Sequence, residues 1–111
     1  MIFRLDARVP VLPGPGPEDE RAAWLVEAGH NAPDHAIVVE SFAPGLPTHT
    51  AGCACCTSRG PIAEALRRLF LARAKGPFFA VVRVAVSPDS EIAVRRVLAD
   101  DPMIAAWFRA G

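Results

Sequence analysis

The sequence has neither an excess of charge of one sign nor a long apolar run. Its 111 residues include 12 basic and 12 acidic side chains, so the formal net charge is zero. A balanced charge argues against general binding to nucleic acid or to an anionic membrane surface. No run of about 18 apolar residues is present, which is the length that a membrane-spanning helix needs. The N-terminus also lacks the charged-then-apolar layout of a signal peptide. We therefore expect a cytoplasmic protein with reduced thiols and with neither a nucleic-acid nor a membrane partner.

Cysteine is scarce, and all of it lies within four residues. Residues 52–57 read Gly-Cys-Ala-Cys-Cys-Thr, which places Cys53, Cys55 and Cys56 in a CxCC pattern. The thiolate is a soft donor that suits Zn²⁺ or Cu(I), and a CxC step lets two sulfur atoms converge on one ion. Tetrahedral Zn²⁺ needs a fourth ligand, for which His49, Glu40 and water are candidates. The pattern predicts a metal site, with Zn²⁺ as the simplest occupant.

Other interpretations of the cysteines stay open. A disulfide within CxC is strained, because bridged Cα atoms normally lie about 4.4–6.8 Å apart with a fixed dihedral angle. A redox pair remains an alternative, although the usual redox motif is CxxC. The cysteines can also be inert structural residues. Metal binding explains three adjacent thiols better than these alternatives do.

The spacing of apolar residues predicts alternating strands and helices. It predicts three strands, over 1–9, 35–42 and 78–86. It also predicts four helices: one over 17–28, one from 61 to the Gly-Pro pair at 76–77, one from 87 to about 99, and one that begins at 101–102. The 35–42 strand is predicted to be buried, and Pro10 to confine the next two residues to an edge or strand end. This order indicates an α/β fold, namely a small three-layer domain with a short, mainly parallel sheet of about three or four strands flanked by helices.

Two charged residues stand out against this predicted sheet. Glu40 lies at the carboxyl end of the 35–42 strand, which is the end where ligands bind in open α/β sheets. The loop that follows it, over 43–59, contains the cysteines and is longer than compact domains usually keep without a function. Arg83 lies inside an apolar strand, so we expect it to be an edge residue or to pair with Glu40 or another acid.

The cysteine segment also carries a resemblance to a known family. Residues 52–57, Arg59 and the apolar helix at 62–69 resemble the GCxCCT-x-R segment and following helix of CobW-type GTPases, P-loop metallochaperones related to UreG and HypB. The stretch 37–42 resembles the family strand that ends in Asn-Glu-Phe-Gly, with Glu40 at its glutamate. Weaker likeness extends over 9–14, 79–89 and 97–102. The resemblance implies a fragment of a P-loop GTPase domain whose metal site contains the cysteines and Glu40.

The sequence departs from that family where nucleotide would bind. A Walker A loop needs GxxxxGK[ST], so that backbone N–H groups, a lysine and a hydroxyl can hold phosphate and Mg²⁺. Residues 14–20 instead read Gly-Pro-Gly-Pro-Glu-Asp-Glu, and Arg83 stands where the family has a glutamate. The matched region also ends before the family's NKxD segment and C-terminal domain. We therefore expect a single partial CobW-like domain over 1–111 that binds no nucleotide and is not an enzyme.

Two functions from different classes follow from these observations. The first is a metal-binding CobW-like protein that stores, delivers or senses an ion, most simply Zn²⁺. The second is a protein-interaction or regulatory module with a vestigial metal site, which forms a homodimer or docks on a full-length CobW-like protein. Missing family segments would leave apolar surface or a sheet edge uncovered, which favours such association. A thiol redox protein is a third interpretation.

Overall fold

The computed structural model describes residues 8–17, 20–43 and 60–111. These residues form a parallel five-stranded sheet in the order β3-β2-β4-β1-β5. The strands are β1 (Val9–Pro13), β2 (Ala22–Glu27), β3 (Val38–Phe42), β4 (Val81–Ala85) and β5 (Phe108–Ala110), and the helices are α1 (Pro61–Lys75), α2 (Pro88–Asp100) and α3 (Pro102–Trp107). The expected α/β class with a parallel sheet and flanking helices is confirmed, with five strands instead of about three or four. No helix in the described ranges is long and apolar enough to cross a membrane.

The main core lies between the three helices and one face of the sheet. Strand residues such as Leu25 and Val82 pack there with Leu66 of α1, Leu98 of α2 and Ile104 of α3. Full burial of an aliphatic side chain of this size contributes about 1.5–3 kcal/mol relative to exposure. This helix-facing side of the sheet is therefore the main source of stability.

The opposite face of the sheet carries a second, smaller cluster. Ala22, Trp24, Val26 and Val81 are buried in it, and the partly buried Ala32 of the β2–β3 connection packs against them. Within the described ranges, this face is covered by irregular chain and not by a helix. The β2–β3 connection, residues 28–37, thus serves as the covering layer on this side.

Strand β2 lies where the sequence predicted a helix over 17–28, and that prediction is wrong. Every residue of Ala22–Glu27 is buried, with Ala23 and Leu25 in the helix-facing core and Trp24 in the second cluster. A continuous apolar run suits a parallel strand that is covered on both faces. The apolar run here covers only residues 22–26, which is too short for periodicity to separate a buried strand from a helix.

The two other early strands also differ from expectation. β3 is parallel as predicted, but it lies at the edge of the described sheet and is half-buried, with Val39 47% exposed. Residues 1–7 of the predicted first strand lie outside the described residues. β1 lies between β4 and β5 and not at an edge. Pro10 is tolerated there because the pairing of β1 with β4 begins one residue later, at Val11. The missing N–H of Pro10 therefore removes no bond to β4.

The helix ends agree with their sequence signals. Pro61 begins α1, and the chain leaves the helix at Gly76. Ser87 caps α2 by accepting a hydrogen bond from the backbone N–H of Ser90 at 3.3 Å. Asp101 caps α3 through two backbone N–H groups at 3.0 and 3.2 Å. The last helix is shorter than predicted, since Phe108 begins β5, a strand that the sequence analysis did not predict.

Candidate functional site

One of the five predicted metal ligands lies within the described residues. Glu40 is the third of the five residues of β3, so it lies in the middle of the strand and not at the carboxyl end where the sequence placed it. Cys53, Cys55, Cys56 and His49 fall in 44–59, outside the described residues, so their convergence on one ion stays a prediction. This segment is bordered by residue 43, which directly follows β3, and by residue 60, which directly precedes α1. Within the described ranges, no three His, Cys, Asp or Glu side chains are grouped so as to hold a metal ion.

Glu40 contacts an arginine of the neighbouring helix. Its Oε1 atom accepts a hydrogen bond from Arg68 Nε at 2.7 Å, and Arg68 also donates to the backbone oxygen of Ser41 at 3.4 Å. The Glu40 side chain is 27% exposed and that of Arg68 is 45% exposed. A pair this accessible contributes about 0–1 kcal/mol to stability. The Glu40 carboxylate is therefore reachable from solvent, and a cation that binds it must compete with Arg68.

A second carboxylate lies in the crevice between β2 and β4. These neighbouring strands send their connections in opposite directions, from β2 to β3 and from β4 across β1 to β5. Crevices of this kind, outside the carboxyl ends of parallel strands, are where α/β proteins usually bind ligands. Glu27 ends β2 at this point and is 7% exposed. Glu27 was not predicted from the sequence, although a single acid at the end of an apolar run is a usable signal once the run is assigned to a strand.

The Glu27 carboxylate binds the first turn of α2. It accepts a hydrogen bond from the backbone N–H of Ser87 at 2.6 Å. This backbone bond is the main reason that the pKa of Glu27 lies below its ordinary value of 4.5, with smaller contributions from the hydroxyls of Ser87 and Ser90 and from His30. The amino end of a helix favours negative charge. The chain's own carboxylate thus occupies the position at which an anion would otherwise bind.

The β1–β2 connection contains residues 14–17, which belong to the stretch that lacks the Walker A pattern. Gly14 donates its backbone N–H to Val84 oxygen at 3.1 Å, while Pro15 and Pro17 have no N–H to offer. A Cβ atom on Gly14 would lie 2.6 Å from Trp24 Cη2, so the loop packs directly against the second cluster. Gly14 and the two prolines therefore offer no free N–H group to a phosphate. This leaves Gly16 as the one N–H donor of residues 14–17 without a partner in the described part of the chain.

An ion pair closes the same loop. Arg83 donates from Nε and Nη2 to the two carboxylate oxygens of Glu20, at 2.9 and 2.8 Å, and from Nη1 to the backbone oxygen of Pro13 at 2.8 Å. Through these hydrogen bonds Arg83 lowers the pKa of Glu20, and Glu20 raises the pKa of Arg83. The expectation that Arg83 pairs with an acid is confirmed, and the acid is Glu20 and not Glu40.

Comparison of the chain with protein-family models, with curated proteins and with solved structures gives no match.

Proposed function

We propose that this protein binds a soft metal ion, most simply Zn²⁺, through the thiolates of Cys55 and Cys56. Cys53 and Glu40 complete or tune the site, and His49 is a further candidate ligand. The observation that carries this proposal is the CxCC cluster in the sequence, located between a strand that bears a solvent-accessible carboxylate and the helix that follows. Sulfur and carboxylate donors together suit Zn²⁺ in a reducing compartment.

The role that fits this site is metal storage, delivery or sensing in the cytoplasm. The support is the resemblance of residues 52–57, Arg59 and the following helix to the metal-binding segment of CobW-type metallochaperones. The resemblance implies a helix in this region, and α1 is an uninterrupted helix from Pro61 to Lys75. The whole chain is then one partial CobW-like domain.

We also propose that the protein does not hydrolyse nucleotide. The loop at the position of a P-loop has two prolines, a Gly14 N–H that already donates to Val84, and a Glu20 carboxylate bound to Arg83. A triphosphate needs free N–H donors, a lysine and a hydroxyl at this position. Calorimetry with GTP and Mg²⁺ should show no binding heat at millimolar ligand, and micromolar affinity would contradict this part of the proposal.

A second candidate function is that of an interaction module, as a homodimer or docked on a CobW-like partner. Two exposed apolar side chains favour it: Val39 on the edge strand β3, at 47% exposure, and Phe78 before β4, at 51%. The oligomeric state measured with and without metal separates the two functions. A metal-independent dimer or complex supports the interaction module.

Zinc titration of the reduced, tag-free protein tests the metal proposal. Competition with a chromophoric chelator should show about one high-affinity Zn²⁺ per chain, with loss of thiol reactivity on binding. A Cys55→Ser/Cys56→Ser variant should lose this affinity while its far-UV circular dichroism stays unchanged. A Glu64→Gln variant, which alters a carboxylate on α1 that pairs only loosely with Arg67 at 4.0 Å, serves as the control. Unchanged zinc affinity in the double cysteine variant would overturn the proposed site.

A further inference from the structure

An exposed aromatic ring lies at the amino edge of the sheet, opposite the edge that bears Glu27. Phe78 is 51% exposed and comes shortly before β4. Arg21, the residue before β2, donates from Nε and Nη2 to the backbone oxygen of Phe78 at 3.2 and 2.9 Å. Arg73 of α1 donates from Nε to the backbone oxygen of Phe79 at 2.7 Å. Two arginines therefore fix the backbone on which this ring is presented.

Arg73 also contacts the ring itself. Its guanidinium carbon lies 4.5 Å from the centroid of Phe78, which is within the range of a cation–π contact. Arg73 has a role in the helix, because an arginine in the last turn interacts favourably with the helix dipole. The hydrogen bonds from Arg21 and Arg73 to backbone oxygens also hold the turn that follows α1. Neither role requires a large apolar side chain at 78. The Phe78 ring is held in place by its charged neighbours, and about half of the residue, 51%, stays exposed to solvent.

The positive charge around this ring lacks acidic partners in the part of the chain that is described. Neither Arg21 nor Arg73 has a carboxylate within ion-pair distance there, and the same holds for Lys75 in the last turn of α1. Among the described residues, Arg73 uses only Nε in a hydrogen bond, so its two terminal nitrogens are available there as donors.

We propose that Phe78, Arg21, Arg73 and Lys75 form a docking surface for an acidic segment of a partner protein. An apolar side chain of the partner packs on the Phe78 ring, and flanking carboxylates pair with the guanidinium groups and the lysine. Arginine and aromatic residues dominate the binding energy of protein interfaces, and the planar guanidinium suits carboxylates in particular. A nucleic acid fits less well, because backbone phosphates require an extended track of positive charge.

This surface is independent of the proposed metal site. Glu40 lies in the middle of the edge strand β3. Arg21 and Phe78 instead precede β2 and β4 at the amino edge of the sheet, where Ala80 N–H bonds to Arg21 oxygen at 2.8 Å. Loss of metal binding would leave the docking proposal standing. Loss of docking would likewise leave the metal proposal intact.

Selection from a displayed library of random peptides on the full chain tests the proposal. We expect the selected peptides to be enriched in Asp and Glu around an apolar residue. A synthetic peptide of the selected sequence should bind about tenfold more weakly to Phe78→Ala and to Lys75→Glu. Its affinity should fall with added salt. The control is Ile92→Ala, which shortens an apolar side chain on α2 that is 58% exposed, and this variant should bind like the wild type.

Three results would overturn the proposal. The first is a selection that yields no binders or binders without acidic enrichment. The second is equal affinity of the acidic peptide for wild type and for Phe78→Ala, with both proteins folded by circular dichroism. The third is that a labelled oligo-dT strand binds more tightly than the acidic peptide and is lost in Phe78→Ala, which would assign the surface to nucleic acid.

Discussion

The Glu27 carboxylate accepts a hydrogen bond from the backbone N–H of Ser87 at 2.6 Å. This contact joins the carboxyl end of the buried strand β2 to the cap of α2, where the Ser87 hydroxyl in turn accepts from Ser90 N–H. A central strand and a helix are thereby linked through a hydrogen bond that is stronger when the carboxylate is ionised. The stability of the fold should report on that ionisation.

The first prediction concerns this pH dependence. The pKa of Glu27 is lower in the folded protein than its ordinary value of 4.5, so its contribution is fully present above that pH and is lost as the pH falls through the folded-state pKa. The urea midpoint of the wild type should therefore exceed that of Glu27→Gln at neutral pH, and the difference should shrink in acid. Glu64→Gln, which alters an exposed acid paired only loosely with Arg67 at 4.0 Å, is the control and should change the urea midpoint little. A Glu27→Gln difference that is constant with pH would contradict the assignment.

The second prediction concerns the ion pair that closes the β1–β2 connection. Arg83→Met removes two bonds to Glu20 and one to Pro13 from side chains that are only 14% and 19% exposed. We expect a loss of about 1–3 kcal/mol in the free energy of unfolding. Arg95→Met breaks a more exposed pair with Glu91 and should cost about 0–1 kcal/mol. Equal losses in urea titrations of the two variants would show that the Arg83 pair has no special role.

The third prediction concerns the close contact between Gly14 and Trp24. A Cβ on Gly14 would lie 2.6 and 2.8 Å from two ring carbons of Trp24 and 3.2 Å from Val84 oxygen. Gly14→Ala should therefore destabilise the protein by about 1–3 kcal/mol through overpacking. The same change in a Trp24→Phe background should cost less, because the smaller ring relieves the contact. Additive effects in the double-mutant cycle would contradict this packing.

The fourth prediction concerns competition at Glu40. If Glu40 binds the metal ion, the ion must displace Arg68, whose Nε lies 2.7 Å from Glu40 Oε1. Arg68→Gln should then raise zinc affinity severalfold, roughly the effect of removing one exposed ion pair. Arg67→Gln, which alters an exposed neighbour on the same helix, should leave the affinity unchanged. Lower affinity in Arg68→Gln would argue against Glu40 as a ligand.

Local signals in the sequence predicted all three helices of the described residues, but they also predicted a helix over 17–28 where the structure has β2. Pro61 and Gly76 delimit α1, and the capping residues Ser87 and Asp101 begin α2 and α3. These features depend on neighbours a few residues away, and such neighbours can be found from the sequence alone. The buried strand β4 was also recognised, because its apolar run continues from 78 to 86 with only Arg83 interrupting it.

The sheet order and the polar contacts could not be predicted in the same way. The run at 22–26 is compatible with a buried helix or a buried strand, and only its pairing between β3 and β4 decides the question. The contact of Glu27 with Ser87 joins residues 60 positions apart, and that of Glu40 with Arg68 joins residues 28 apart. Such contacts follow from the topology and have no local signature.

The CxCC segment is proposed to hold a metal ion through Cys55 and Cys56, with Cys53 completing or tuning the site. The most direct test is elemental analysis of tag-free protein purified under reducing conditions, with thiol titration of the same sample. We predict about one Zn²⁺ per chain, with the thiols protected until the metal is chelated. Metal-free protein with three reactive thiols, unchanged after zinc is added back, would contradict the account.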